Sequence, residues 1–212
     1  MDVAASTLRV LINMGWKYNS TIPWLDIMRG VAHGLSQPHL YRIVHGDLKP
    51  SNGSPLQRRR SLTGKVLVNP EEDGRILTEN VFISDLGVRH WRPKFNSETQ
   101  QMMKIPGTEP YIAPEIFSKG ESALDLPTDI WAVGCIGFEV FAGFHLFENE
   151  FAVESFAKTR NLPSKQYGII QLMKEREPKI YSIIEGCLHP DPSRRFDIYK
   201  LQSEIGPNPQ PL

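Results

Sequence analysis

Between Ile130 and Phe144 the sequence reads IWAVGCIGFEVFAGF, apolar apart from Glu139. Wound as a helix from Asp129 to Phe141, it puts Ile130, Trp131, Val133, Ile136, Phe138, Val140 and Phe141 on every side and leaves no face for water. It is too short to cross a bilayer, which takes about 20 apolar residues. Such a helix is stable only when other elements enclose it, each large side chain contributing roughly 1.5–3 kcal/mol on burial. The chain must therefore build a core around this segment. Its 212 residues suffice for one such core or two small ones.

Charge excludes more than it suggests. Lys and Arg number 24, and Asp and Glu also number 24, so no basic surplus marks a nucleic-acid or anionic-membrane partner. Cys135 and Cys187 lie in apolar contexts without metal-ligand spacing and read as buried thiols of a reducing compartment. No basic-then-apolar leader opens the sequence, which makes the cytoplasm the expected location. Nothing in the residues fixes an oligomeric state.

A second segment, Ile43 to Asn52, reads IVHGDLKPSN and gathers Asp47, Lys49 and Asn52. A carboxylate orients or deprotonates an attacking hydroxyl, a cation steadies a moving phosphate, and an amide oxygen holds Mg²⁺. Phosphoryl transfer from a nucleotide requires that set. Ile43, Val44 and Leu48 would pin such a loop to a core, while Pro50 keeps it from becoming helix.

HGDLKPSN resembles the catalytic loop of the eukaryotic protein kinases, H-R-D-L-K-x-x-N, with Gly46 where the arginine usually stands. Three further matches follow in the family's order. They are Asp85-Leu86-Gly87 for D-F-G, Ala113-Pro114-Glu115 for A-P-E within GTEPYIAPE, and Asp129-Ile130-Trp131-Ala132-Val133-Gly134 for the next helix. One tripeptide means little; four signals in order carry the resemblance over about residues 20–200. Gly46 also resembles the H-G-D-x-x-x-x-N loop of the aminoglycoside and choline kinases, but those enzymes lack a GTEPYIAPE segment.

The resemblance implies a mainly α fold, the C-terminal (large) lobe of a protein kinase, with a small β-hairpin near the catalytic loop. It implies a serine/threonine kinase that moves the ATP γ-phosphate to a protein hydroxyl, with ATP and Mg²⁺ as cofactors. Asp47 would be the base and Lys49 the γ-phosphate contact, its place two residues after the aspartate being typical of serine/threonine-directed members. Asn52 and Asp85 would hold Mg²⁺, and Thr108 would bridge Asp47 and Lys49. His45 would pack beneath the loop, Asp129 would hold the loop's backbone, and Glu115 would pair with Arg195 of Asp191-Pro192-Ser193-Arg194-Arg195. Gly46 removes the arginine that normally reads a phosphorylated activation segment.

Taken in order, Ser6–Met14 is weakly amphipathic and reads as a helix. A longer helix is expected from Thr21, as N-cap, to Leu35, with Pro23 in its first turn. His33 and His39 read as partly exposed helix and turn residues. Residues 53–65, GSPLQRRRSLTGK, are an insertion relative to the family and read as an exposed loop, in which Ser61 follows three arginines. Val66-Leu67-Val68 and Val81-Phe82-Ile83 read as a hairpin turning at 71–74. Residues 88–106 show no periodicity, as an activation segment would, and hold Ser97 and Thr99. Helical patterns run over Tyr167–Met173, Ile180–Leu188 and Phe196–Ile205, with Pro163, Pro178 and Pro190 as boundaries. Residues 1–206 thus read as one partial kinase domain, and 207–212 as a disordered tail.

Residues 1–42 contain neither G-x-G-x-x-G nor V-A-x-K, the signatures of the smaller, N-terminal β lobe that covers ATP, so that lobe is expected to be absent. Two readings stay open. The chain is a serine/threonine kinase lobe, truncated and inactive alone, with a protein substrate. Alternatively it is a pseudokinase-like half-domain that binds a protein partner through its helical surface.

Overall fold

The structure is a computed structural model and describes residues 6–17, 23–50, 66–71, 76–84, 86, 91–96 and 101–207. In chain order its elements are β1 (Ser6–Thr7), α1 (Leu8–Lys17), α2 (Trp24–Leu40), β2 (Val66–Val68), β3 (Val81–Ile83), β4 (Trp91–Asn96) and β5 (Gln101–Pro106). There follow α3 (Pro114–Lys119), α4 (Leu126–Ala142), α5 (Glu150–Thr159), α6 (Ser164–Arg176), α7 (Pro178–Cys187) and α8 (Ile198–Ile205).

Helix α4 is the centre. Asp125 caps it, accepting the Leu126 N–H on its side chain, and Gly143 ends it in the left-handed region at φ 77°. Trp131, Val133, Ile136 and Phe138 are fully buried; Phe141 alone of the expected set is partly exposed. Phe147 stacks on Trp131 with ring centroids 5.5 Å apart. Helices α2 and α7 pack against α4 from two sides. A Cβ on Gly134 would lie 2.8 Å from Cys187 and Leu188, so only glycine admits α7 this closely. On the other side the Trp24 Nε1–H donates to the Gly137 carbonyl at 2.7 Å.

The small sheet flanks this core. β2 pairs antiparallel with β3 in the register Val66↔Ile83, Leu67↔Phe82, Val68↔Val81. Val66, Val68 and Val81 point inward, while Phe82 is about half exposed, as the two-residue period of a strand dictates. The expected turn at 71–74 lies mostly outside the described residues, as do Thr21, Ser61 and the 53–65 insertion.

Several expectations need correction. The first helix begins at Leu8, because Ser6–Thr7 instead adds a third antiparallel strand against β2. Leu8 and Ile12 are then fully buried. The second helix starts after Pro23, its N-cap, and runs past Leu35 to Leu40. Pro38 is tolerated in its last turn, where the missing N–H removes a single helical bond. Within 88–106 the described residues are not irregular: β4 and β5 pair antiparallel from Trp91↔Pro106 to Asn96↔Gln101, while Ser97 and Thr99 lie outside the described residues. Cross-strand pairing holds these strands, and neither shows the alternation of a half-buried strand. His39 is buried, not exposed, for a reason that lies in the site. In the C-terminal half Pro163 is the N-cap of α6 and Pro178 opens α7.

Candidate active site

The segment from Ile43 to Pro50 runs without helix between α2 and the sheet. Leu48 is buried and anchors it, as its apolar side chain requires. Its backbone is held from below by α4. Asp129, almost fully buried, accepts the His45 N–H on Oδ2 and the Gly46 N–H on Oδ1, both at 2.8 Å. His39 Nε2 lies 3.0 Å from Asp129 Oδ2, which explains why that histidine leaves the solvent. Gly46 sits at φ 76°, a conformation natural to glycine.

With its backbone fixed, the loop presents three side chains to one another. Lys49 Nζ donates to Asp47 Oδ2 at 2.8 Å and to Thr108 Oγ1 at 2.6 Å. The Thr108 hydroxyl donates to Asp47 Oδ1 at 2.6 Å. Asp47 is 3% and Lys49 9% exposed, so in this closed triangle each charge is desolvated and needs the other. Thr108 arrives from β5 through Gly107, whose φ of 99° turns the chain beside the Gly46 carbonyl. A cavity of about 20 Å³ adjoins Asp47 and Thr108, room for about one water.

His45 is fully buried, and its Nε2 lies 3.1 Å from the Ser84 carbonyl. The strand ending at Ile83 is therefore tied to the loop one residue before Asp85. Asp85 itself, and Asn52, lie outside the described residues. On the other side of the loop the Val66 N–H donates to the Lys49 carbonyl at 3.0 Å. Lys49 of the loop is thus bonded directly to the first residue of β2.

Farther out, the Arg195 side chain is fully enclosed. Its guanidinium donates to both Glu115 oxygens at 2.6 Å and to the carbonyls of His189, Pro127 and Pro190. These five bonds match its five N–H groups. The same guanidinium lies 5.0 Å from the Trp131 ring centroid.

Another ionic cluster adjoins the loop. Glu139, fully buried in α4, accepts hydrogen bonds from Arg9 of α1 and from the Tyr111 hydroxyl, the latter at 2.6 Å, and lies 3.1 Å from His145 Nδ1. Burial pushes the Glu139 carboxyl up, but the bonds from His145 and Arg9, the Arg9 charge and the Tyr111 hydroxyl together hold it below its usual value. Burial first, and the Glu139 charge second, push the Tyr111 phenol well up. Sequence reasoning registered Glu139 only as a charge in an apolar run and missed Arg9 and Tyr111. The available signal was the charge itself, since a carboxylate in such a helix demands a partner.

The family model of the protein kinase domain matches residues 17–204. The chain belongs to this family. Among curated kinase relatives, the DNA damage response protein kinase DUN1 of Saccharomyces cerevisiae is 27% identical over 81% of this chain and 32% of its own length. The calcium/calmodulin-dependent protein kinase type I of Schizosaccharomyces pombe is 29% identical over 80% and 44%. The chain thus spans less than half the length of these relatives. The crystal structure of Rad53 1-466 in complex with AMP-PNP superposes with a TM-score of 0.63, covering 96% of this chain and 45% of that one at 18% identity. That likeness is one of fold, and the kinase fold it identifies here is the mainly helical C-terminal-lobe type with its small sheets. Among the described residues no helix is long and apolar enough to cross a membrane.

Proposed function

We propose that this kinase domain is the phosphotransfer lobe of a protein serine/threonine kinase, moving the γ-phosphate of ATP to a protein hydroxyl. The observation that carries the reading is the Asp47–Lys49–Thr108 triangle on a loop pinned by Asp129. Asp47 Oδ1 and Oδ2 accept from Thr108 and Lys49, and a carboxylate oxygen has a second lone pair with which to accept from a substrate hydroxyl. Asp47 would then orient the hydroxyl and accept its proton as the new oxygen–phosphorus bond forms and the bond from the γ-phosphorus to the bridging oxygen breaks, releasing ADP. Lys49 would turn its charge to the transferred phosphate, and Thr108 would keep the two side chains in register.

The donor set suits a hard divalent cation: Asn52 supplies an amide oxygen and Asp85 a carboxylate. The bond between His45 and Ser84 supports the placement of the chain leading to Asp85 beside the loop. Mg²⁺ held by these two residues would offset charge on the nucleotide phosphates. The closed triangle favours the catalytic reading over the pseudokinase-like binding module, because a surface used only for binding does not need it.

The test is phosphoamino-acid analysis of protein substrates incubated with the full-length native protein and Mg·ATP. Phosphoserine and phosphothreonine are expected. Label on tyrosine alone, or nucleotide bound with no transfer to any hydroxyl, contradicts the reading.

A further inference from the structure

The first turns of α4 wall two cavities. Thr128, Asp129 and Ala132 face the small one at the catalytic loop. On the other side lies a cavity of about 650 Å³ between the end of α2, the start of α4 and the start of α8. Its size falls in the range of small-molecule sites, about 300–1,000 Å³. Leu40, Leu126, Pro127, Ile130, Phe196 and Tyr199 give it apolar walls. Leu40 and Tyr199 are more than half exposed, large apolar groups left uncovered at its rim.

The charged groups in the wall differ in what they are committed to. Arg195 is held by Glu115, and the Asp197 carboxylate caps α8 by accepting the Lys200 N–H at 2.7 Å. Arg42 has only a 3.8 Å contact with Asp125, with both side chains mostly exposed, an arrangement of little net strength. Its backbone is held at φ 55° with its N–H bonded to the His39 carbonyl, so the side chain departs from a fixed point in the cavity wall. The remaining polar wall residue of interest is His39. It lines this cavity and contacts Asp129, the residue that holds the His45 and Gly46 amides.

The geometry points to a binding site for a small ligand with an apolar body and one anionic group. The body fills the space between α2, α4 and α8, and the anion pairs with Arg42. Occupancy is sensed at the catalytic loop through His39 and Asp129. This site is separate from the phosphotransfer site and does not depend on that function.

The probes are naphthalene-1-sulfonate and its uncharged analogue naphthalene-1-methanol, titrated into the full chain and followed by amide NMR shifts. The sulfonate is expected to saturate one site, moving Leu40, Arg42, Ile130 and Tyr199 and also His45 and Gly46. Arg42→Glu should weaken the sulfonate at least tenfold and leave the alcohol within twofold. Ser193→Trp, which fills the mouth, should abolish both; Tyr199→Ala, at an exposed position, should weaken both at least threefold and serves if the tryptophan variant does not fold. Non-saturating shifts, shifts centred elsewhere, or an Arg42→Glu protein that binds the sulfonate normally overturn the site. Saturation with no movement of His45 and Gly46 overturns the link to the loop.

Discussion

Glu115 and Arg195, eighty positions apart, meet in a two-pronged ion pair whose nitrogens and oxygens lie 2.6 Å apart, with the Arg195 side chain entirely enclosed. The pair ties the end of the Thr108 segment, through α3, to the loop before α8. Removing one member strands the other in a low dielectric, so Glu115→Ala is expected to cost about 3–5 kcal/mol. Arg195→Ala should cost more, because it also removes the contact with Trp131 and the hydrogen bonds to three carbonyls. Urea denaturation measures both; a Glu115→Ala protein within 1 kcal/mol of wild type contradicts the assignment.

Asp129 is a positioning residue for the loop. Hydrogen bonds to a charged acceptor are worth roughly 1.5–3 kcal/mol each. Asp129→Ala should therefore speed amide exchange at His45 and Gly46 by roughly 10–100-fold. Asp129→Asn, which keeps one acceptor, should preserve protection at one of the two amides. Unchanged exchange in the alanine variant means that the loop is held by something else.

The Glu139 cluster gives a pH dependence whose sign follows from its lowered carboxyl. The stabilisation is fully present above the unfolded value of about 4.3 and disappears as pH falls through the lower folded value. Arg9→Met removes one counter-charge and leaves burial to raise the carboxyl. At neutral pH that variant should lose about 3–5 kcal/mol, and the loss should shrink as acid neutralises Glu139. Denaturation midpoints between about pH 3.5 and 7 check this; parallel pH profiles in the two proteins contradict it.

Burial pushes the Cys187 thiol up to about 12 and the Cys135 thiol well above its ordinary value. Neither should react with a disulfide reagent at about pH 8, because the thiolate is the nucleophile. Both should react in denaturant. A fast-reacting thiol in the native protein would mean that α4 and α7 are not packed as described.

What the sequence made legible follows from how local each signal is. Helix α4 was readable because its own residues cover all its faces. The hairpin of β2 and β3 showed in two valine-rich segments separated by a turn. The family resemblance implied Glu115 and Arg195 as partners and Asp129 as the residue beneath the loop, because those motifs are local in the sequence. The hairpin of β4 and β5 was hidden because its strands carry Pro93, Arg92, Lys94 and Lys104 in no alternating order, and pairing between strands is not a local property. Arg9 and Glu139 lie 130 positions apart. The buried carboxylate announced a cationic partner, yet nothing along the chain chose Arg9 from 24 lysines and arginines. His39 was misread because its burial depends on Asp129, 90 positions away.

The central claim is that Asp47 serves as the base of phosphotransfer, and its most direct test is turnover of the full-length native protein beside its Asp47→Ala variant under Mg·ATP. The variant, though destabilised because Lys49 loses its carboxylate, is expected to remain folded and to lose roughly 10²–10⁴-fold in kcat. Turnover at the wild-type rate in a folded Asp47→Ala protein would contradict it.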